Sequence, residues 1–173
     1  MKIVVGVCGS VAAVRTPELV RELVRQGFDV ECAMSEWAKM IIHPNVLQWA
    51  SGKPVITELT GAVEHVRLLG VGGEADLLLI CPSTSNTISK IACGIDDTAI
   101  TTMAATALGA GKPVVIVPAM HVSMYKNPFV KENIEKLRKA GVSIIEPRIE
   151  ENKAKIAEEK EIIAEIKKKL RVK

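Results

Sequence analysis

Two segments, "EADLLLICPST" (residues 74–84) and "KPVVIVPAM" (residues 112–120), each hold a continuous apolar run. A strand with one wet face alternates apolar and polar residues, whereas a strand covered on both faces does not. Both segments therefore belong inside a sheet with helices on either side. "KIVVGVC" (2–8) and "DVECAMS" (29–35) read as further strands, and "VSIIEP" (142–147) as a last short one. Helical segments lie between them. "TPELVRELVRQG" (16–27) has Thr16 as N-cap, Pro17 at the first helical position and Gly27 past its end. "EWAKMII" (36–42) and "HPNVLQWASG" (43–52) are short helical pieces parted at Pro44, while "SNTISKIACGI" (85–95) and "DDTAITTMAATALGAG" (96–111) are longer. "NPFVKENIEKLRKAG" (127–141) is amphipathic through Phe129, Val130, Ile134 and Leu137. The tail "NKAKIAEEKEIIAEIKKKLRVK" (152–173) carries Ile156, Ile162, Ile163, Ile166 and Leu170 at helical spacing, with lysines suited to a helix C-terminus.

Strands alternating with helices over the whole length predict a doubly wound α/β fold with a mainly parallel sheet, residues 1–173 forming one domain. The chain of 173 residues is long enough for a real core, and with 48% apolar but only 3% aromatic residues that core is aliphatic. The formal charge is only +3, and much of the lysine excess follows Lys153, so no nucleic-acid footprint is expected. No apolar run approaches the roughly 20 residues that cross a bilayer, and the opening "KIVVGVCG" is too short for a signal-peptide core. A cytoplasmic protein without membrane partners is expected. Cys8, Cys32, Cys81 and Cys93 form no C-x-x-C pair, which speaks against a zinc ribbon or other metal site and for buried free thiols.

In such sheets ligands bind beyond the carboxyl ends of the strands. The relevant loops follow Cys8, Ala33, Cys81 and Val117. "GVCGSVAA" is neither a dinucleotide fingerprint nor a P-loop, since the glycine spacing differs and no lysine is present. Gly9 and Ser10 still let backbone N–H groups approach a phosphate, or else form an ordinary tight turn. Ser35 in "MSEWA" caps a helix or holds a phosphate oxygen. Thr84, Ser85, Asn86 and Thr87 are an unbroken polar run at the mouth of a buried strand, where a cap alone needs one such residue. "VVIVPAMHVSMYKNP" empties a buried strand into Ala119, Met120, His121, Met124 and Tyr125.

"PSTSNTISKIACGIDDTAITT" resembles the P-A-S-A-N-T-x-x-K-I-A-x-G-x-x-D-N motif of the flavin-dependent cysteine decarboxylases. "GSVAA", "MSEWA", "EHVRL" and "PAMHVSMY" stand at that family's order and spacing, so the resemblance covers about residues 1–147. It is similar in particular to the phosphopantothenoylcysteine decarboxylases of archaeal type, here without the synthetase domain that follows in the bifunctional enzymes. The resemblance implies a Rossmann/flavodoxin-like three-layer sandwich that binds FMN. It implies a carboxy-lyase that converts 4'-phospho-N-pantothenoylcysteine to 4'-phosphopantetheine in coenzyme A biosynthesis. It also implies a homotrimer, or a dodecamer of trimers, and leaves open whether a separate phosphopantothenate–cysteine ligase is a further partner. Carried over by position, Gly9, Ser10, Val11 and Ser35 hold the FMN phosphate side. Thr84, Ser85, Asn86 and Thr87 line the flavin and its ribityl chain, Ala119 and Met120 pass near the ring, and His65 is the proton-transfer residue.

Two positions depart from the pattern. His121 replaces the asparagine that grips the substrate carboxylate. A neutral imidazole keeps one donor and a protonated one adds charge, so the change either preserves the grip or marks a different substrate. The segment "EPRIEENKAKIA" lacks the flap cysteine of many members, which leaves Lys153 or Lys155 as replacement donors, or else as solvated residues at a helix start. The alternatives are an FMN electron-transfer flavoprotein that releases no CO2, a flavin prenyltransferase, for which no basic motif is present, and a non-catalytic flavin-binding subunit.

Overall fold

The computed structural model describes residues 1–172. Its main sheet contains β1 (Lys2–Val7), β2 (Asp29–Met34), β3 (Leu77–Ser83), β4 (Val114–Pro118) and β6 (Ser143–Ile144), in the order β2-β1-β3-β4-β6. Every pairing in it is parallel, with Ile3 opposite both Val30 and Leu77, and Ile116 opposite both Ile80 and Ile144. All residues of β3 and β4 are buried, as their uninterrupted apolar character requires.

Alternate residues of each strand supply two cores. Ile3, Val5 and Val7 pack with α1 (Thr16–Arg25), α3 (Pro44–Ser51) and α9 (Glu159–Leu170) on one face. Val4, Leu78 and Ile80 pack with α4 (Glu64–Leu69), α5 (Ser85–Cys93), α6 (Ala99–Gly109) and α8 (Pro128–Lys139) on the other. The result is the doubly wound fold expected from the alternating pattern and the three-layer, flavodoxin-like sandwich that the resemblance implies.

Two expectations need correction. Thr16 is not an N-cap. A 3-10 turn, Val11–Arg15, precedes α1 and is capped by Ser10, whose hydroxyl accepts from the Ala12 N–H. Thr16 is buried inside the helix and donates to the Cys81 carbonyl at 3.3 Å, which ties α1 to β3. The tail is not helical from residue 152. β7 (Arg148–Glu150) and β8 (Lys153–Lys155) form a hairpin that pairs antiparallel with β5 (Met120–His121). Glu151 and Asn152 make its turn with φ of 50° and 58°, the left-handed pair that suits the twist of a two-residue hairpin. The period-2 alternation of Lys153, Ala154, Lys155 and Ile156 was masked by the helical spacing of the later isoleucines, and α9 begins only at Glu159.

Cys8, Cys32 and Cys81 are buried as expected, but Cys93 is exposed at the end of α5. Among the described residues no helix is long and apolar enough to cross a membrane.

Candidate active site at the β1/β3 switch point

The chain steps from β1 to β2 on one side and reaches β3 and β4 on the other, so strand order reverses between β1 and β3. Loops leaving the carboxyl ends of these strands diverge and open a crevice. Two clefts lie there, and the turn after β1 parts them, since Gly9 lines one and Ser10 the other.

The larger cleft has a volume of about 950 Å³. Gly9, Ser35, Thr84, Ser85, Asn86 and Thr87 line it. Thr84 is the N-cap of α5: its hydroxyl accepts from the Thr87 N–H at 3.3 Å and lies 3.1 Å from the Thr87 hydroxyl. One residue of the polar run thus caps the helix, and among the described residues Ser85 and Asn86 make no side-chain hydrogen bond. Ser35 caps α2 (Glu36–Lys39) by accepting from the Ala38 N–H at 3.2 Å. Gly9 has a packing reason of its own, because a Cβ there would meet the Cβ of Trp37. Behind the wall, the hydroxyl of Ser83 is fully buried and has no hydrogen-bond partner among the described residues. Burial pushes the thiol of Cys8 up to about 11 and that of Cys32 up to about 12, so neither is a thiolate nucleophile at neutral pH.

Residues not singled out from sequence complete this cleft. Thr98 and Thr101 cap α6 reciprocally, and Lys90 pairs with Asp97 at 2.7 Å. Asp96, Glu58, Glu36 and Trp37 add to the lining. For Lys90, Asp96, Asp97, Thr98 and Thr101 the signal was the direct succession of two helices in "ISKIACGIDDTAITT"; Glu36, Trp37 and Glu58 come from other loops and carried no such signal.

The smaller cleft, of about 500 Å³, is lined by Ser10, Val11, Ala119, Met120 and His121 together with Arg15 and the β8 residues Lys153 and Lys155. His121 is the N-cap of α7 (Val122–Tyr125), where its Nδ1 accepts from the Ser123 N–H at 3.2 Å. An Nδ1 that accepts carries no proton, so in the neutral ring the proton sits on Nε2. His65 lines neither cleft. It sits half-buried in the first turn of α4, and its buried Nδ1 has no hydrogen-bond partner among the described residues. α4 itself is held to β2 by Arg67, which pairs with Glu31 and Glu74.

This architecture matches known proteins over nearly its whole length. The flavoprotein family profile matches residues 1–171. The coenzyme A biosynthesis bifunctional protein CoaBC of Thermococcus kodakarensis is 56% identical over 170 residues, 98% of this chain and 42% of the relative. Its counterpart from Methanocaldococcus jannaschii is 42% identical over 170 residues, 98% of this chain and 41% of the relative. The chain thus spans about two fifths of the length of these relatives. The solved structure of the FMN-dependent cysteine decarboxylase SpaF superimposes with a TM-score of 0.82 at 29% identity, covering 95% of this chain and 94% of that one. A parallel sheet in this order, a polar crevice at its switch point and a profile match from end to end agree: the chain belongs to the flavoprotein family.

Proposed function

We propose that the chain is an FMN-dependent decarboxylase of 4'-phospho-N-pantothenoylcysteine that forms 4'-phosphopantetheine for coenzyme A biosynthesis. The observation that carries this reading is the placement of Thr84, Ser85, Asn86 and Thr87 along a cleft of about 950 Å³ at the switch point. The likeness to a cysteine decarboxylase and to coenzyme A biosynthesis proteins narrows the chemistry.

The residues present suit FMN. The amide and hydroxyls of the polar run offer donors and acceptors to the edge of a flavin ring and to a polyhydroxy chain. Gly9, Ser10, Val11 and Ser35 surround two helical starts, whose first-turn N–H groups lack intrahelical acceptors and suit a phosphate. Ala119 and Met120 offer small and soft apolar surface to a ring face. When bound, the flavin supplies the two-electron chemistry that makes loss of CO2 from the cysteinyl group easy. The protein holds and orients the substrate. The Nε2–H of His121 donates to the substrate carboxylate, and His65 transfers the proton.

His65 lies away from both clefts, and Val11, Trp37 and Met40 expose at least three quarters of their surface. Both observations support a homotrimer, or a dodecamer of trimers, in which neighbouring copies close the site. We take residues 1–173 as a single flavoprotein domain acting in the cytoplasm, its substrate supplied by a phosphopantothenate–cysteine ligase.

The test is direct. The purified chain is assayed for a flavin spectrum, mixed with 4'-phospho-N-pantothenoylcysteine, and followed for CO2 and 4'-phosphopantetheine. A yellow protein that releases CO2 supports the decarboxylase. A yellow protein that releases none refutes it and points to electron transfer on the same scaffold.

A further inference from the structure

The sheet face that α4 covers carries a charge. In β2, Val30, Cys32 and Met34 belong to the core on the α1 side, and Ala33 to the core on the α4 side. Strand alternation puts Glu31 on the α4 side with Ala33. It takes an inward position where a strand covered on both faces has an apolar residue, and its side chain is only 12% exposed. A buried carboxylate persists only where it is paired. Its partner is Arg67 of α4, whose Nη2 lies 2.5 Å from Oε1. Lys2 stands behind it, 3.5 Å from Oε2. Arg67 also reaches Glu74 at 3.1 Å, but that carboxylate is 45% exposed, and exposed pairs contribute little. Lys2 further pairs with Glu74 and lies 3.9 Å from Asp29, which Lys53 pairs.

α4 needs such an anchor. It has six residues, too few to be a stable helix by itself. No side chain caps its start, and the residue before it, Val63, is held at φ 46°, which a β-branched residue rarely adopts. Its buried anchors are the adjacent Leu68 and Leu69. Two neighbouring leucines at one end leave a short helix free to rock about them. The Arg67–Glu31 pair blocks that motion, because it ties the helix to a strand locked in register with β1. His65 lies three and four residues before the leucines, on their face of the helix. The ring of a histidine that moves protons is ordinarily aimed by a hydrogen bond to its other nitrogen. The buried Nδ1 of His65 has no such partner among the described residues. The direction of its ring is therefore set by where the backbone of α4 sits.

We propose that Glu31 is a positioning residue for His65 and acts through Arg67: the ion pair fixes α4 on the sheet and thereby aims the imidazole. Neither Glu31 nor Arg67 lines a cleft, so neither touches what is bound there. The value of this device for catalysis rests on the proton-transfer role proposed for His65, whereas the coupling of Glu31 to the His65 ring does not.

The test uses the FMN-loaded full chain and reads two quantities. One is kcat and KM for CO2 release from 4'-phospho-N-pantothenoylcysteine. The other is the set of imidazole nitrogen resonances, in which the His65 signals are identified by their loss in His65→Asn. Glu31→Gln and Arg67→Met are expected to lower kcat about tenfold or more with KM and flavin affinity unchanged, since a misaimed group slows chemistry without loosening binding. The His65 signals should shift while those of His43 and His121 stay. The double variant should lose no more than the worse single one, because both changes remove one interaction. Arg67→Lys keeps the charge and should recover part of kcat. Glu74→Gln leaves the buried pair intact and should change little. Glu31 without Arg67 keeps Lys2, and Arg67 without Glu31 keeps Glu74, so no charge is stranded. Should Arg67→Met fail to fold, the nearly isosteric Glu31→Gln decides. Unmoved His65 signals overturn the proposal whatever the rates. So do shifted signals with unchanged kcat in an active enzyme, and a fall in kcat matched by an equal loss of flavin affinity. A wild-type chain that releases no CO2 overturns the decarboxylase reading instead, and a His65 shift confined to the Glu31 and Arg67 variants then still sustains the coupling.

Discussion

A Cβ added to Gly9 would overlap the Cβ of Trp37 and lie 3.1 Å from the Trp37 carbonyl carbon. The contact joins the turn after β1 to α2, the two segments that flank the crevice. Both atoms sit at or next to backbone, so no flexible side-chain end can swing aside. Gly9→Ala must push the two segments apart. We expect a destabilisation of about 1–3 kcal/mol, the usual range for overpacking, together with weaker flavin retention. Urea unfolding of the flavin-free chain and flavin titration measure the two effects separately. Gly61→Ala is the control, since a Cβ added there would meet nothing within 4 Å and its φ is not in the left-handed region. Equal stability of the two variants would show that the close approach is not maintained in solution.

The proton-transfer role proposed for His65 separates binding from chemistry. Its ring lines neither cleft, so its removal leaves the lining of both clefts intact. His65→Asn is expected to keep the flavin spectrum and the wild-type flavin affinity while abolishing CO2 release. Turnover within a few-fold of wild type would remove His65 from the mechanism.

His121 caps α7 through Nδ1, and in the proposed site it also donates through Nε2. Asparagine performs both, since it is a good N-cap and its amide donates. His121→Asn should therefore retain activity and stability. His121→Ala loses the cap, at about 1 kcal/mol, and also the donor. It should weaken the carboxylated substrate more than the decarboxylated product. Equal weakening of both ligands would refute the carboxylate contact.

Much of this was legible in the sequence because periodicity and turn chemistry are local. The unbroken apolar runs of β3 and β4 could only be central strands, and the flanking periodic segments could only be their covering helices. The polar run at Thr84–Thr87 announced its cleft because it follows such a strand directly. What stayed hidden depends on contacts distant in sequence. Lys153 and Lys155 gain their place only when β8 pairs with β5, some thirty residues earlier, and the short alternation that marks the strand is outweighed locally by the helical spacing of the isoleucines that follow. The division of the site residues between two clefts was equally invisible, since neighbours such as Gly9 and Ser10 diverge only once the turn is folded.

The helix that carries His65 should respond to acid. Glu64, in its first turn, accepts from both the hydroxyl and the backbone N–H of Thr60, the latter at 2.9 Å. The Thr60 hydroxyl, reinforced by the two backbone N–H groups of Thr60 and Glu64, holds the carboxyl at about 2 instead of the ordinary 4.5. A carboxyl whose folded pKa is depressed binds protons more readily when unfolded. Its contribution is therefore present above about 4.5 and is lost as the pH falls toward about 2. Over that interval the amides of Leu68 and Leu69 should lose hydrogen-exchange protection before those of β3. Glu64→Gln removes the titrating group, so its exchange profile should be flatter across the same interval. A wild-type profile that is already flat there would show that the Thr60–Glu64 contact does not hold the start of α4.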